Sequence, residues 1–165
     1  MKRRILLVFV VFALGFFVLI LAFTQIRLDA LQKPGKAETF VATQIKRILI
    51  ARDSRSGIPP APKDLPASIE EGGTLFGTDC SMCHGADGHT PTDNGRWMYP
   101  RAADLTSPSV QHYTDRELFW IVKNGIRLTG MPGFGKVESD EHIWNLVIYL
   151  RTLPGRKPEN NGASQ

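Results

Sequence analysis

Near its start the chain carries nineteen consecutive residues, Ile5 to Phe23, with no charge and almost no polarity. At about 1.5 Å per helical residue such a run covers close to the roughly 30 Å hydrocarbon core of a bilayer. Residues 1–24 therefore read as a short basic stub, Met1-Lys2-Arg3-Arg4, and a single uncleaved transmembrane anchor. The competing reading is a secretory signal. Its apolar core is usually about 7–15 residues and ends at a small-residue cleavage site. Here Thr24-Gln25-Ile26-Arg27 follows and supplies no such site. Three basic residues precede the span, and Arg27, Lys33 and Lys36 follow it, so charge leaves the orientation open.

Residues 25–65 read as a stalk. Pro34-Gly35 breaks the chain, and residues 38–52 then show a helical period, with Val41, Ile45, Ile48 and Leu49 on one stripe beside basic Lys46, Arg47 and Arg52. This helix suits either the bilayer surface or a docking face, on a partner or on the domain that follows. Gly57-Ile58-Pro59-Pro60-Ala61-Pro62 reads as a stiff spacer that decouples stalk from domain. Within residues 66–155 three helical patterns recur. One places Gly72, Phe76 and Cys80 at spacings of four, behind a Ser68/Glu71 capping box. The next, Asp115 to Asn124, has a Thr114/Glu117 box, a Gly125 stop and Leu118, Phe119, Ile121 and Val122 for the core. In the last, Trp144 and Leu146 to Leu150 are stopped by Pro154-Gly155. No stretch reads convincingly as strand, so the expected class is all-α. Residues 156–165 are polar and read as a loose tail.

Composition narrows the function. The 165 residues suffice for one compact domain with appendages. The net charge of +4 is unevenly spread: residues 1–65 hold eleven Lys/Arg against four Asp/Glu, and residues 66–165 hold nine against twelve. A mildly acidic domain is a poor nucleic-acid binder. Two cysteines, three positions apart, exclude a disulfide scaffold.

Those cysteines stand in Cys80-Ser81-Met82-Cys83-His84. Thiols at i and i+3 can each add to a vinyl group of one haem while the next imidazole ligates the iron, which is the c-type attachment pattern. A zinc site would need a second Cys/His pair, and a thioredoxin-like pair would need a βαβ context. Neither is present, so one covalent haem c is expected.

Gly72-x-x-x-Phe76-x-x-x-Cys80-x-x-Cys83-His84-Gly85 and Leu146-x-x-Tyr149-Leu150 together resemble the opening and closing helices of a class I monohaem cytochrome c over about Pro66 to Leu153. The resemblance implies a helical domain around a covalent haem, in which Gly72 lets the first helix cross the last closely, with Phe76 and Tyr149 at the crossing. It also implies haem attachment outside the cytoplasm, and hence a periplasmic domain on a bacterial inner membrane.

For the second axial ligand the chain offers Met82, Met98 and Met131, with His89, His112 and His142. Met82 and His89 are tethered to the proximal side. Met98 and His112 precede the middle helix, and His142 opens the last one. Met131 lies 47 residues after His84 in a glycine-flanked loop stiffened by Pro132. The resemblance points to the same Gly130-Met131-Pro132; His112 is the alternative. The resemblance further suggests Pro100 as the carbonyl that meets the proximal imidazole, though its spacing from the motif fits loosely. Arg101 and Trp97 are candidate partners of a haem propionate or, alternatively, a surface charge and a packing residue. Lys123, Arg127 and Lys136 flank the Met131 loop and suit either an acidic redox partner or an ordinary solvated surface.

With both axial positions filled, the expected role is one-electron transfer between redox proteins, not catalysis. The Pro-rich spacer leads us to expect a shuttle, with a fixed subunit of a membrane redox complex as the alternative that the apolar stripe of residues 41–49 would favour. A peroxidase-like or ligand-sensing haem requires an open distal position, which Met131 opposes.

Overall fold

The computed structural model describes residues 2–24 and 33–155, and the chain divides into two compact units, Met1–Gln32 and Lys33 onward. In the first, the apolar run forms α1 (Lys2–Thr24), a helix long and apolar enough to cross a membrane, with no side chain buried within the chain. The loose tail at 156–165 and the stalk's first residues, 25–32, lie outside the described residues.

The second unit contains α2 (Lys36–Asp53) and α3 (Leu65–Leu75), the latter running through a wide π turn at Phe76–Cys80 into α4 (Ser81–His84). There follow α5 (Asp93–Trp97), α6 (Pro108–Gln111), α7 (Asp115–Asn124) and α8 (Asp140–Thr152), with a 3-10 turn at Leu153–Gly155. Among the described residues there is no strand.

The core forms where α3 crosses α8 and α7 packs beside it. At Gly72 a Cβ would stand 2.1 Å from the Asn145 carbonyl oxygen and 2.9 Å from Tyr149 Cβ, so only a hydrogen lets the helices approach this closely. One turn later Phe76 meets Tyr149, ring centroids 5.3 Å apart, and on the other flank Phe119 meets Trp144 at 4.8 Å. Leu118, Val122, Ile143, Leu146, Val147, Leu150 and Leu153 complete one buried cluster.

The middle helix starts as its sequence predicts: the Thr114 hydroxyl accepts from Glu117 N–H, and Glu117 returns a carboxylate oxygen to Thr114 N–H at 2.7 Å. The start of α3 differs. Asp64 is its cap, accepting from Ala67 N–H with Pro66 in the first turn, so the Ser68/Glu71 box is not used. Ser68 is instead buried inside the helix, and Glu71 reaches across to accept from Asn145 Nδ2 at 2.6 Å. An aspartate cap two residues before a proline, which is pre-set for the first turn, begins the helix one turn earlier.

The spacer is not decoupled from the domain. Behind α2, which packs on α7 through the buried Ile50, Arg116 Nη2 donates to Arg55 O at 3.2 Å. Ile58 packs against the core, and Trp144 Nε1 donates to Pro59 O at 3.0 Å. A buried indole N–H needs an acceptor, and a proline-rich segment carries carbonyls that no helix or sheet has claimed. Trp144→Phe is therefore expected to lower stability by about 1–2 kcal/mol, combining a lost hydrogen bond with a small void. Faster proteolytic nicking within residues 57–62 should accompany it, and an unchanged nicking rate would show that the bond does not hold the spacer.

Candidate functional site

The π turn carries the helix of the crossing directly into the attachment motif, so Cys80 packs against the core while Cys83 and His84 follow on α4. The Thr92 hydroxyl donates to Met82 O at 2.5 Å and Thr92 N–H to Cys83 O at 3.2 Å, which satisfies carbonyls at the end of this short helix. The two thiols are not joined to each other. Burial, reinforced by Asp79 and Cys83, pushes the Cys80 thiol up to about 12. Such a site disfavours a thiolate, and a thioether sulfur suits it because it carries no charge.

His84 Nδ1 lies 2.8 Å from Ala103 O. A carbonyl only accepts, so Nδ1 carries the proton and Nε2 keeps its lone pair for a metal. Burial lowers the imidazole's pKa against the opposing effect of that hydrogen bond, which favours the neutral form that ligates iron. The acceptor is not Pro100, which is exposed. Ala102 N–H donates to Gly95 O at 2.9 Å, pinning the chain to α5 so that the next carbonyl, Ala103, faces the ring.

The Met131 loop begins at Gly125, whose φ of 69° and close approach to Gly133 N (2.6 Å from a Cβ position) both require glycine. The loop then folds back on α7, where Phe134 N–H donates to Val122 O and Gly135 N–H to Lys123 O. Within it Ile126 N–H donates to Met131 O at 3.3 Å, and Met131 N–H donates to the Thr129 hydroxyl at 3.1 Å. Both peptide groups of the half-buried Met131 are thus held.

Met98, set aside in the sequence because it precedes the middle helix, brings a second sulfur here. A Cβ on Gly130 would stand 2.6 Å from Met98 Sδ, so Met98 lies against the backbone beside Met131. Residues 98–103 therefore run from the Met131 loop to the His84 imidazole. Trp97 and Arg101, at and near the start of this segment, are both exposed, Trp97 at 76%.

The histidine rivals are engaged elsewhere. His89 pairs with Asp104 at 2.9 Å, and His142 pairs with Glu138 at 2.7 Å and Glu71 at 3.2 Å. His112 lines a cavity of about 340 Å³ between α2 and the domain, with Arg47, Ile48, Tyr113 and Glu117. Lys123 is no free cation beside the loop: its ammonium is 2.5 Å from Asp140 and sits over the Phe119 ring. Arg127 and Lys136 are exposed.

These residues fit a covalent haem. Two unjoined thiols share one helical stretch with a neutral imidazole whose Nδ1 is already bound, and a thioether stands in a constrained loop. Among the described residues no group of three or more His, Cys, Asp or Glu gathers as a rival metal site.

The fold is similar to a chain in the reducing HAO-like protein complex of Kuenenia stuttgartiensis, at 23% identity and a TM-score of 0.51 over 59% of this chain. The match covers 47% of that chain's length, and at this identity it shows the fold alone. Residues 67–150 match the family described as cytochrome c oxidase, cbb3-type, subunit III. That stretch is half of the chain and holds the attachment motif, the α3–α8 crossing and the Met131 loop, so the chain belongs to this family, as a monohaem c-type cytochrome that transfers electrons rather than an enzyme.

Proposed function

We propose that the chain is a membrane-anchored one-electron carrier. Its single haem c is joined to Cys80 and Cys83 and ligated by His84 and Met131, and its haem domain lies on the periplasmic side of a bacterial inner membrane. The observation that carries this reading is the 2.8 Å contact between His84 Nδ1 and Ala103 O, which orients Nε2 as a ligand directly behind the two thiols. Bound there, the haem supplies an iron that exchanges one electron with redox proteins.

The chain's own residues do the rest. Ala103 fixes the imidazole tautomer, and Thr129 with Ile126 holds the Met131 backbone. A soft thioether favours the ferrous state and raises the potential. Arg101 and Trp97, near the segment that joins the two axial sides, are the proposed propionate partners, while Pro100 serves that segment's path. The uncleaved anchor is supported by the length of α1, which exceeds an ordinary signal core.

Of the two modes of action, the packed spacer favours a fixed subunit of a membrane redox complex over a long-range shuttle, because Ile58 and Pro59 are held on the domain. Optical spectra of the purified full-length chain test the ligation. The oxidised form should show a sulfur-to-iron charge-transfer band, and the ferrous form should not take up carbon monoxide readily. Prompt carbon monoxide binding would remove the closed-haem reading and favour ligand sensing or peroxidase-like chemistry.

A further inference from the structure

The stalk helix has two apolar sides, and the domain covers only one. Ile50, 3% exposed, is the residue of α2 that the domain buries. Val41 lies nine residues before it, two and a half turns at about 3.6 residues per turn, and so faces the opposite way. Around Val41 the stripe formed by Ile45 and Ile48, with Phe40 and Leu49 at its margins, is 41–67% exposed, and Ile48 marks the edge where the stripe meets the cavity shared with the domain. A monomer rarely leaves so many contiguous large apolar side chains uncovered.

Charge and chain length indicate what covers them. Residues 33–55 hold six Lys/Arg against two Asp/Glu, whereas residues 56–155 hold eight against twelve. The apolar stripe therefore sits on the one strongly basic segment of an otherwise acidic unit. An anionic lipid surface attracts that segment and repels the rest. A second copy would bring two +4 segments face to face. Lys36 also follows the end of α1, Thr24, by only twelve residues, and an extended chain spans at most about 3.3–3.6 Å per residue.

We propose that α2 lies in the headgroup region of an anionic bilayer through Val41, Ile45, Ile48 and their flanking apolar neighbours, while its Ile50 face carries the haem domain. The inference rests on the anchored reading of α1. Glu38 extends its consequence to the haem site: its Oε1 accepts from the Tyr99 hydroxyl at 2.5 Å, in the segment that joins the two axial sides. Membrane contact at α2 thereby orients that side of the domain with respect to the bilayer.

The test uses the full-length, haem-loaded chain in vesicles of phosphatidylcholine and phosphatidylglycerol, with a nitroxide on one added cysteine at a time. Val41→Cys, Ile45→Cys and Ile48→Cys report on the stripe, Leu14→Cys on the anchor, and exposed Val137→Cys on water. All five sites are exposed in the chain, and an unchanged haem spectrum verifies the fold. Collision with oxygen should exceed collision with a nickel chelate several-fold at positions 41, 45, 48 and 14, and the reverse should hold at 137. Adding Ile45→Asp and Ile48→Asp to the Val41→Cys chain should return that label to water. Stripe labels as accessible to nickel as position 137, beside a lipid-exposed position 14, overturn the inference and leave the anchor standing. Labels shielded from both reagents overturn it in favour of a second copy. A water-exposed position 14 removes the anchor and the inference together.

Discussion

Met131→His should abolish the sulfur-to-iron charge-transfer band and lower the reduction potential by on the order of 0.2 V, a fraction of the roughly 0.8 V range that axial ligands span. The cause is the exchange of a soft, neutral thioether for a harder nitrogen donor that favours ferric iron. The loop should survive the change. The Met131 backbone is held by Ile126 and Thr129 through bonds that a histidine at this position would keep. Met131→Ala should also remove the band but leave the distal position open to carbon monoxide. Met98 makes this experiment decisive, because its sulfur lies against Gly130. If the band survives in Met131→Ala and disappears only when Met98→Leu is added, Met98 is the ligand and the assignment to Met131 is wrong.

Gly72→Ala is expected to cost about 3 kcal/mol, the upper end of what one added methyl costs in a packed core. The new Cβ would lie 2.1 Å from the carbonyl oxygen of Asn145, a backbone atom in the middle of α8 that no rotamer change moves aside. To relieve the overlap α3 must retreat from α8. That would weaken the Phe76–Tyr149 contact and displace the stretch leading directly into Cys80. The variant should therefore load haem poorly as well as unfold at lower denaturant concentration. Gly77→Ala is the comparison, since a Cβ there meets nothing within 4 Å. Its denaturation midpoint, followed by the haem absorption, should stay within the small range of an ordinary surface change. Equal losses at the two glycines would mean that helix propensity, not the crossing, governs position 72.

The helices and the attachment motif were legible because their signals are local. Thr114 and Glu117 cap α7 through atoms three residues apart, and Gly125 ends it by adopting a positive φ that few other residues accept. The Ser68/Glu71 pair had the same local form yet failed, because Asp64 and Pro66 start α3 earlier and the crossing claims Glu71 for Asn145. The two short helices α5 and α6, of five and four residues, are too short to show a hydrophobic period and were not read in the sequence. The imidazole's acceptor was misplaced at Pro100 because a backbone carbonyl has no signature in the residue that bears it. Its aim depends on how α5 holds the following chain.

An all-α domain resembling cytochrome c, the Cys80/Cys83/His84 attachment motif, the Met131 loop as distal candidate and an apolar N-terminal span were all legible in the chain. The span and the attachment motif follow from residue type at short spacing along a helix, the Met131 loop from its flanking glycines and Pro132, and the domain's kind from the resemblance. Long-range packing settles that the Ala103 carbonyl orients His84, that Met98 lies beside Met131, that Asp140 takes Lys123, and that the proline-rich spacer is held by Trp144. It likewise decided which face of α2 the domain keeps. Ile50 and the Val41 stripe are equally apolar, and only the shape of the surface beneath them selects one. These contacts join residues far apart in the chain, and their free energy depends on complementary shape and on which buried polar groups find partners.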